Sequence, residues 1–363
     1  MRVLRLLALW SAAAAPPLCQ IAPVIPPELP KDPRQILAAV EPLYNLDDAA
    51  MKPWHLQATY QFYDKNDKPT EQGTWEYWWD SPRLKRMSWT RAGAARTDWI
   101  SEGKTFREES GETLHYFERS LYSIVAYPLQ VRGILASKGA NFQLKTLHVP
   151  SPNLTCVSNE VQGESHRQTF AHLSPGPDYY CFEPSTTALR LDYSNLVQRE
   201  FSQIARMQGH YLARQIVLVM GGRRVFSVTV ERVNGIVPSD ARLTPPADAR
   251  IVPSVVTHWD ADENAGKVDV ESLALRRPHL YSGSARMEGI QGNVFIGATI
   301  GTDGKVRDID LLFSPNSRLT SLAIDAVKAW EYRPYLVNGT PVEVETILNV
   351  WYHIGPETLD PVP

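Results

Sequence analysis

The chain has 363 residues, with 37 Lys and Arg against 40 Asp and Glu, a formal charge of −3. That length fits two or three domains, and the charge balance excludes the broad positive field of a nucleic-acid binder. Hydrophobic residues at 43% and charged residues at 21% exclude a disordered chain, and three cysteines are too few for a disulfide framework or a four-cysteine zinc site.

The first fifteen residues set Arg2 and Arg5 beside a short apolar run over 6–10 and close on Ser11 and four alanines. A positive start, a brief apolar core and small residues are the pattern of a secretory signal peptide. The alternative is an uncleaved membrane anchor, but Pro16 and Pro17 end the run well short of the ~20 apolar residues that a spanning helix needs. Leu18 before Cys19 is too large for lipoprotein processing. The expected compartment is the periplasm. There Cys156 and Cys181, both on strand-like segments, read as a disulfide with Cα atoms roughly 4.4–6.8 Å apart. Two buried free thiols are the alternative; neither cysteine has a basic neighbour that would make it a reactive thiolate.

Residues 33–43 carry Ile36, Leu37, Val40 and Leu43 at helical spacing behind Asp32 and Pro33, so the spacing predicts a helix. Short alternating segments follow. Leu56, Ala58, Tyr60 and Phe62 share one face; Trp75, Tyr77 and Trp79 share another. Further strands are expected at 84–91, 97–102, 104–109 and 112–118. A helix kinked at Pro128 is expected over 119–138. Seven more strand-like segments lie between 142 and 233, the last two joined at Gly221 and Gly222. Residues 33–236 thus read as one curled antiparallel sheet, or half-barrel, with helices on a face. The 28 prolines exceed ordinary usage, and those at 238, 245, 246 and 253 mark 237–277 as a linker.

Beyond it, Val294, Ile296, Ala298 and Ile300 alternate, and Asp303 and Gly304 form a hairpin turn. Ser317 is a candidate cap for a helix bearing Leu319, Leu322, Ala323, Ala326, Val327 and Trp330. A last strand alternates Val342, Val344, Thr346, Leu348, Val350 and Tyr352 against Glu343, Glu345, Ile347, Asn349 and Trp351. The order is ββαβ, and the expected fold class is α+β.

Residues 278–355 resemble the C-terminal domain of TonB-type energy transducers. The resemblance runs from Ala285 through Gly292 and Val294, "DGKVRDIDLLFSP", Ala326 to Trp330, Arg333 and Pro334, to Asn338, Gly339 and Val342. It implies that an envelope partner, such as an outer-membrane transporter, adds a short segment beside the last strand. The partner-binding residues would be Val342, Glu343, Val344, Glu345, Thr346, Ile347, Leu348 and Asn349. An edge strand supports this physically, since its unpaired N–H and C=O groups accept an extended peptide; alternatively, the same chain or a second copy covers that edge. The chain departs from transducers in lacking a spanning helix and a long proline-rich arm, and in having Ser282 after Tyr281. Binding is therefore the expectation, rather than a pulling role in transmembrane transport.

The N-terminal region is similar, more weakly, to LolA/LolB-like half-barrels through its helix and "EQGTWEYWWDSPRLKRMSW". That implies an apolar groove for a lipid or other apolar ligand, with Trp54, Trp75, Trp78, Trp79, Trp89 and Trp99 near it. The other reading, and the one the residues favour, is that these indoles fill a large β core. Catalytic chemistry is not legible. His166 and His172 lack metal-ligand spacing; Asp308 and Asp310 share one strand face and read as solvated. No cofactor, metal or enzymatic activity is expected.

Overall fold

The computed structural model describes residues 19–20, 29–136, 140–148, 153–161, 178–194, 197–257 and 270–354. The expected leader, His166 and His172 lie outside these residues. Asp32 accepts from the Gln35 amide at 2.9 Å and opens α1 (Pro33–Val40), which buries Ile36, Leu37 and Val40. A meander follows: β1 (Trp54–Tyr63), β2 (Pro69–Ser81), β3 (Leu84–Arg91), β4 (Ala94–Ser101) and β5 (Lys104–Gly111). The chain then runs through α2 (Tyr116–Arg119), a π-helical turn (Tyr122–Ala126) and α3 (Arg132–Ala136). A second meander comprises β6 (Ala140–Leu147), β7 (Leu154–Val161), β8 (Asp178–Phe182), β9 (Leu189–Ser194), β10 (Val197–Met207), β11 (His210–Met220) and β12 (Arg223–Gly235).

Pairing of β1 with β12 joins the two meanders. With β13 (Arg250–Val252) and the short strand Cys19–Gln20 they form a 14-stranded antiparallel sheet among the described residues, thirteen of its strands ordered β13-β5-β4-β3-β2-β1-β12-β11-β10-β9-β8-β7-β6. It is not closed into a barrel. Cys19 and Gln20 pair with β10 off this path. On the inner face, Trp54, Tyr60, Trp75, Tyr77 and Trp79 are buried in one core with Leu121, Ile124 and Leu129 from the helical segment. On the outer face, His55 stacks on Trp78 at 4.0 Å, and burial pushes its pKa down to about 4.

Four expectations are corrected. The strand expected over 112–118 is a loop leading into α2, because the Glu118 carboxylate turns back to accept from the His115 amide at 2.6 Å and so caps the helix. The helix expected over 119–138 is broken: Tyr127, which precedes Pro128, adopts a non-helical backbone, as residues before proline do. The bridge between Cys156 and Cys181 is present, but its Cα atoms are 3.9 Å apart, below the expected range, because the cysteines sit directly opposite each other on β7 and β8. Finally, the segment expected as a linker contributes strands to both sheets: β13 above, and β14 (Val255–Thr257) in the C-terminal module.

That module continues with β15 (Ala274–Arg276), α4 (Gly283–Met287), β16 (Gly292–Ile300), β17 (Val306–Phe313), α5 (Ser317–Lys328), β18 (Glu331–Tyr332), β19 (Tyr335–Val337) and β20 (Thr340–Tyr352). Asn316, not Ser317, caps α5, accepting from the Arg318 amide at 2.8 Å. Between β16 and β17 only Gly304 has a positive φ, 77°, so the hairpin loop is longer than the expected two residues. A Cβ at Gly304 would stand 1.9 Å from the Tyr332 carbonyl oxygen, which excludes any other residue there. The main sheet order is β14-β20-β16-β17. Leu319, Ala323 and Val327 of α5 bury one face of it, with Val294, Ile296, Ala298, Val344, Leu348 and Val350 beneath.

Candidate interaction site

Much of the opposite face of this small sheet, though not Asn349 or Trp351, is covered by the N-terminal region. Phe295 belongs to the N-terminal core, with Phe313 and Ile347 packed against it. Gly297 allows the closest approach: a Cβ there would lie 2.5 Å from Cβ of Tyr116. Polar contacts lock the same surface. Arg119 Nε donates to the Glu345 carboxylate at 3.0 Å, and Asp310 accepts from the Tyr116 amide at 2.8 Å while meeting His115 Nδ1 at 3.2 Å. This hydrogen bond to Asp310 raises the pKa of His115. Asp310 therefore lies at the junction between the sheets and not on a solvated face, a correction that alternation along β17 did not foretell. Asp308 forms a bulge with φ of 48°, and its carbonyl faces Arg119 Nη2 at 3.5 Å.

The candidate binding strand is β20, whose inner edge pairs with β16 along its length from Val344 to Tyr352. β19 pairs with residues 340–342 at the start of the strand, and on the outer edge β14 pairs in parallel with Glu343, Val344 and Glu345. The Glu343 amide donates to the Ser254 carbonyl at 3.0 Å, which fixes the odd-numbered residues as those whose backbone groups point outward. Glu343, Val344 and Glu345 thus lie where the chain's own strand β14 flanks the edge, and Val342 lies in the β19 pairing. The expectation of an edge open throughout is corrected to this extent. From Thr346 through Ile347, Leu348 and Asn349 to Trp351, no described strand pairs with the outer edge. His279 Nε2 donates to the Trp351 carbonyl at 2.8 Å, and the Trp351 indole is 54% exposed beside it.

The inner face of the large sheet was the other candidate. Its aromatic part, β1 to β3, is covered by the helical segment, and a gap of about 20 Å³ beside Ile124 and Ile347 has room for a single water. Its other part, β3 to β5, is charged. Asp98 accepts from Arg96 Nε at 3.0 Å and from Arg107 Nε at 2.7 Å; burial pushes its pKa up to about 6. The sequence shows Arg96 and Asp98 two apart on one face, but not that Arg107 meets them in register across the hairpin. No helix among the described residues is long and apolar enough to cross a membrane.

Residues 277–354 match the family model for the Gram-negative bacterial TonB protein C-terminal region. Among solved structures, the chain is similar to the TonB C-terminal domain of Pseudomonas aeruginosa, at 29% identity and a TM-score of 0.21, over 23% of this chain and 87% of that one. It is also similar to a LolA superfamily protein from Nitrosomonas europaea, at 8% identity and a TM-score of 0.33, over 58% of this chain and 97% of that one. A third is an outer membrane lipoprotein-sorting protein domain from Vibrio parahaemolyticus, at 7% identity and a TM-score of 0.34, over 57% of this chain and 96% of that one. No curated protein matches the chain.

Proposed function

We propose that the protein is a non-enzymatic component of the cell envelope, exported to the periplasm, that binds an envelope partner through its TonB-like module. The partner, such as an outer-membrane transporter, adds an extended segment along β20 between Thr346 and Trp351. The observation that carries this reading is the outward backbone of Ile347 and Asn349, which no described strand pairs. Backbone bonds at such an edge supply affinity, and the exposed Trp351 supplies apolar contact beside them. An apolar ligand on the N-terminal sheet has weaker support, because the helical segment already covers the aromatic part of that face.

The test uses the full mature chain in its host, with a photo-crosslinking residue at Asn349 or, as a control, at Lys328 on α5. Crosslinks to an envelope protein from position 349 and none from 328 are expected. Asn349→Pro removes one outward N–H without touching the β16 ladder and should abolish them. Equal crosslinking from both positions, or none from either in a folded chain, would overturn the proposal.

A further inference from the structure

Between the charged part of the large sheet and the C-terminal module lies a cavity of about 440 Å³. That is within the range of about 300–1,000 Å³ typical of small-molecule sites. Both halves of the chain build it: β3 to β5 form one wall, Arg119 and Tyr122 another, and Ser254, Val255 and Glu345 close it.

Lys85 pairs with Asp47 at 2.6 Å and Arg119 with Glu345 at 3.0 Å, but Arg96 and Arg107 share one carboxylate, Asp98. Both guanidinium groups reach Asp98 through Nε and Nη2 alone. Nη1 of each makes no hydrogen bond among the described residues, although both side chains are only 11% exposed. Partly buried N–H donors on two arginines that share one carboxylate are what an oxyanion satisfies, and Arg is suited to carboxylate and phosphate geometry. Around them the lining turns apolar, through Met87, Ile100, Tyr122 and Val255.

We propose that this cavity binds a small amphipathic anion, a carboxylate or a phosphate monoester with an aromatic or short aliphatic body. The headgroup sits on the free edges of Arg96 and Arg107, and the body lies against Met87, Ile100 and Val255. Because Val255 belongs to the strand on β20, the ligand spans the junction between the two sheets. The site is independent of strand addition at Asn349, so either proposal can fail alone.

Calorimetric titration of the full mature chain tests this with four probes: 4-phenylbutyrate, phenyl phosphate, inorganic phosphate and the uncharged 4-phenylbutanol. Saturable binding is expected from 4-phenylbutyrate or phenyl phosphate, and whichever binds more tightly identifies the headgroup. Inorganic phosphate and phenylbutanol should bind at least about tenfold more weakly. Arg107→Gln should weaken the anion about tenfold or more. Ile100→Trp, which fills the apolar wall and leaves the charges in place, should do the same should Arg107→Gln not fold. Absence of saturable binding by both amphipathic probes, binding of phenylbutanol as tight as that of the anions, or full affinity in the folded variants would overturn the proposal.

Discussion

Arg119 and Glu345, joined at 3.0 Å, bind the helical turn inside the large sheet to strand β20 of the small one. Their side chains are 3% and 6% exposed, so neither charge has water to fall back on. Removing one partner from such a pair costs about 3–5 kcal/mol, whereas replacing both by apolar groups is often neutral. Glu345→Gln should therefore lower the urea unfolding free energy by about that amount. Arg119→Met combined with Glu345→Met should recover most of it. Equal loss in the single and double variants would show that the pair does not act as a unit.

The contact between His115 and Asp310 makes the junction sensitive to pH. The folded-state pKa of His115 is raised, chiefly by its hydrogen bond to Asp310, with Glu118 adding to and Arg91 opposing the shift. A raised histidine contributes stability that is fully present below its unfolded pKa of about 6.5 and is lost as pH rises through the folded value. His55, lowered by burial to about 4, works the other way and loses its contribution as pH falls below about 6.5. Subtracting the urea midpoints of His115→Gln from those of the parent isolates the first effect. The difference should be largest in mild acid and shrink above neutrality; a constant difference would contradict it.

Cys156 and Cys181 close a loop of 25 positions and anchor a small satellite core with Leu154, packed by Tyr179 and Leu191. On the chain-entropy account such a closure contributes about 3 kcal/mol. Reduction should lower the thermal midpoint of the parent and leave that of a Cys156→Ala, Cys181→Ala variant unmoved.

Much of this architecture is legible in the residues. Alternation places Trp75, Tyr77 and Trp79 on one face and the valines of β20 on another, and helical spacing locates α5. Periodicity names a buried face without naming what buries it, and that accounts for the corrections. Glu343, Glu345, Ile347 and Asn349 read as the polar face of an edge strand, yet Glu345 is buried beneath Arg119. The pairing of β14 with β20 was hidden for the same reason: three residues, Val255, Val256 and Thr257, are too few to show a period. Tyr116 and Phe117 read as strand residues because the helix they open is a single turn, held by Glu118 and by Asp310 from far along the chain.

Only Pro253 and Ser254 separate the last residue of the large sheet's outermost strand, β13, from the first residue of β14 on the small one. A load drawn along β20 meets a three-residue ladder there, and two residues later another of the same length on β5. With so few bonds apiece, these ladders hold this corner of the junction more weakly than the long β16–β20 seam holds the small sheet. The rim of the large sheet and the edge of β20 are thus coupled through one short run of chain, beside the firmer tie that Arg119 makes to Glu345.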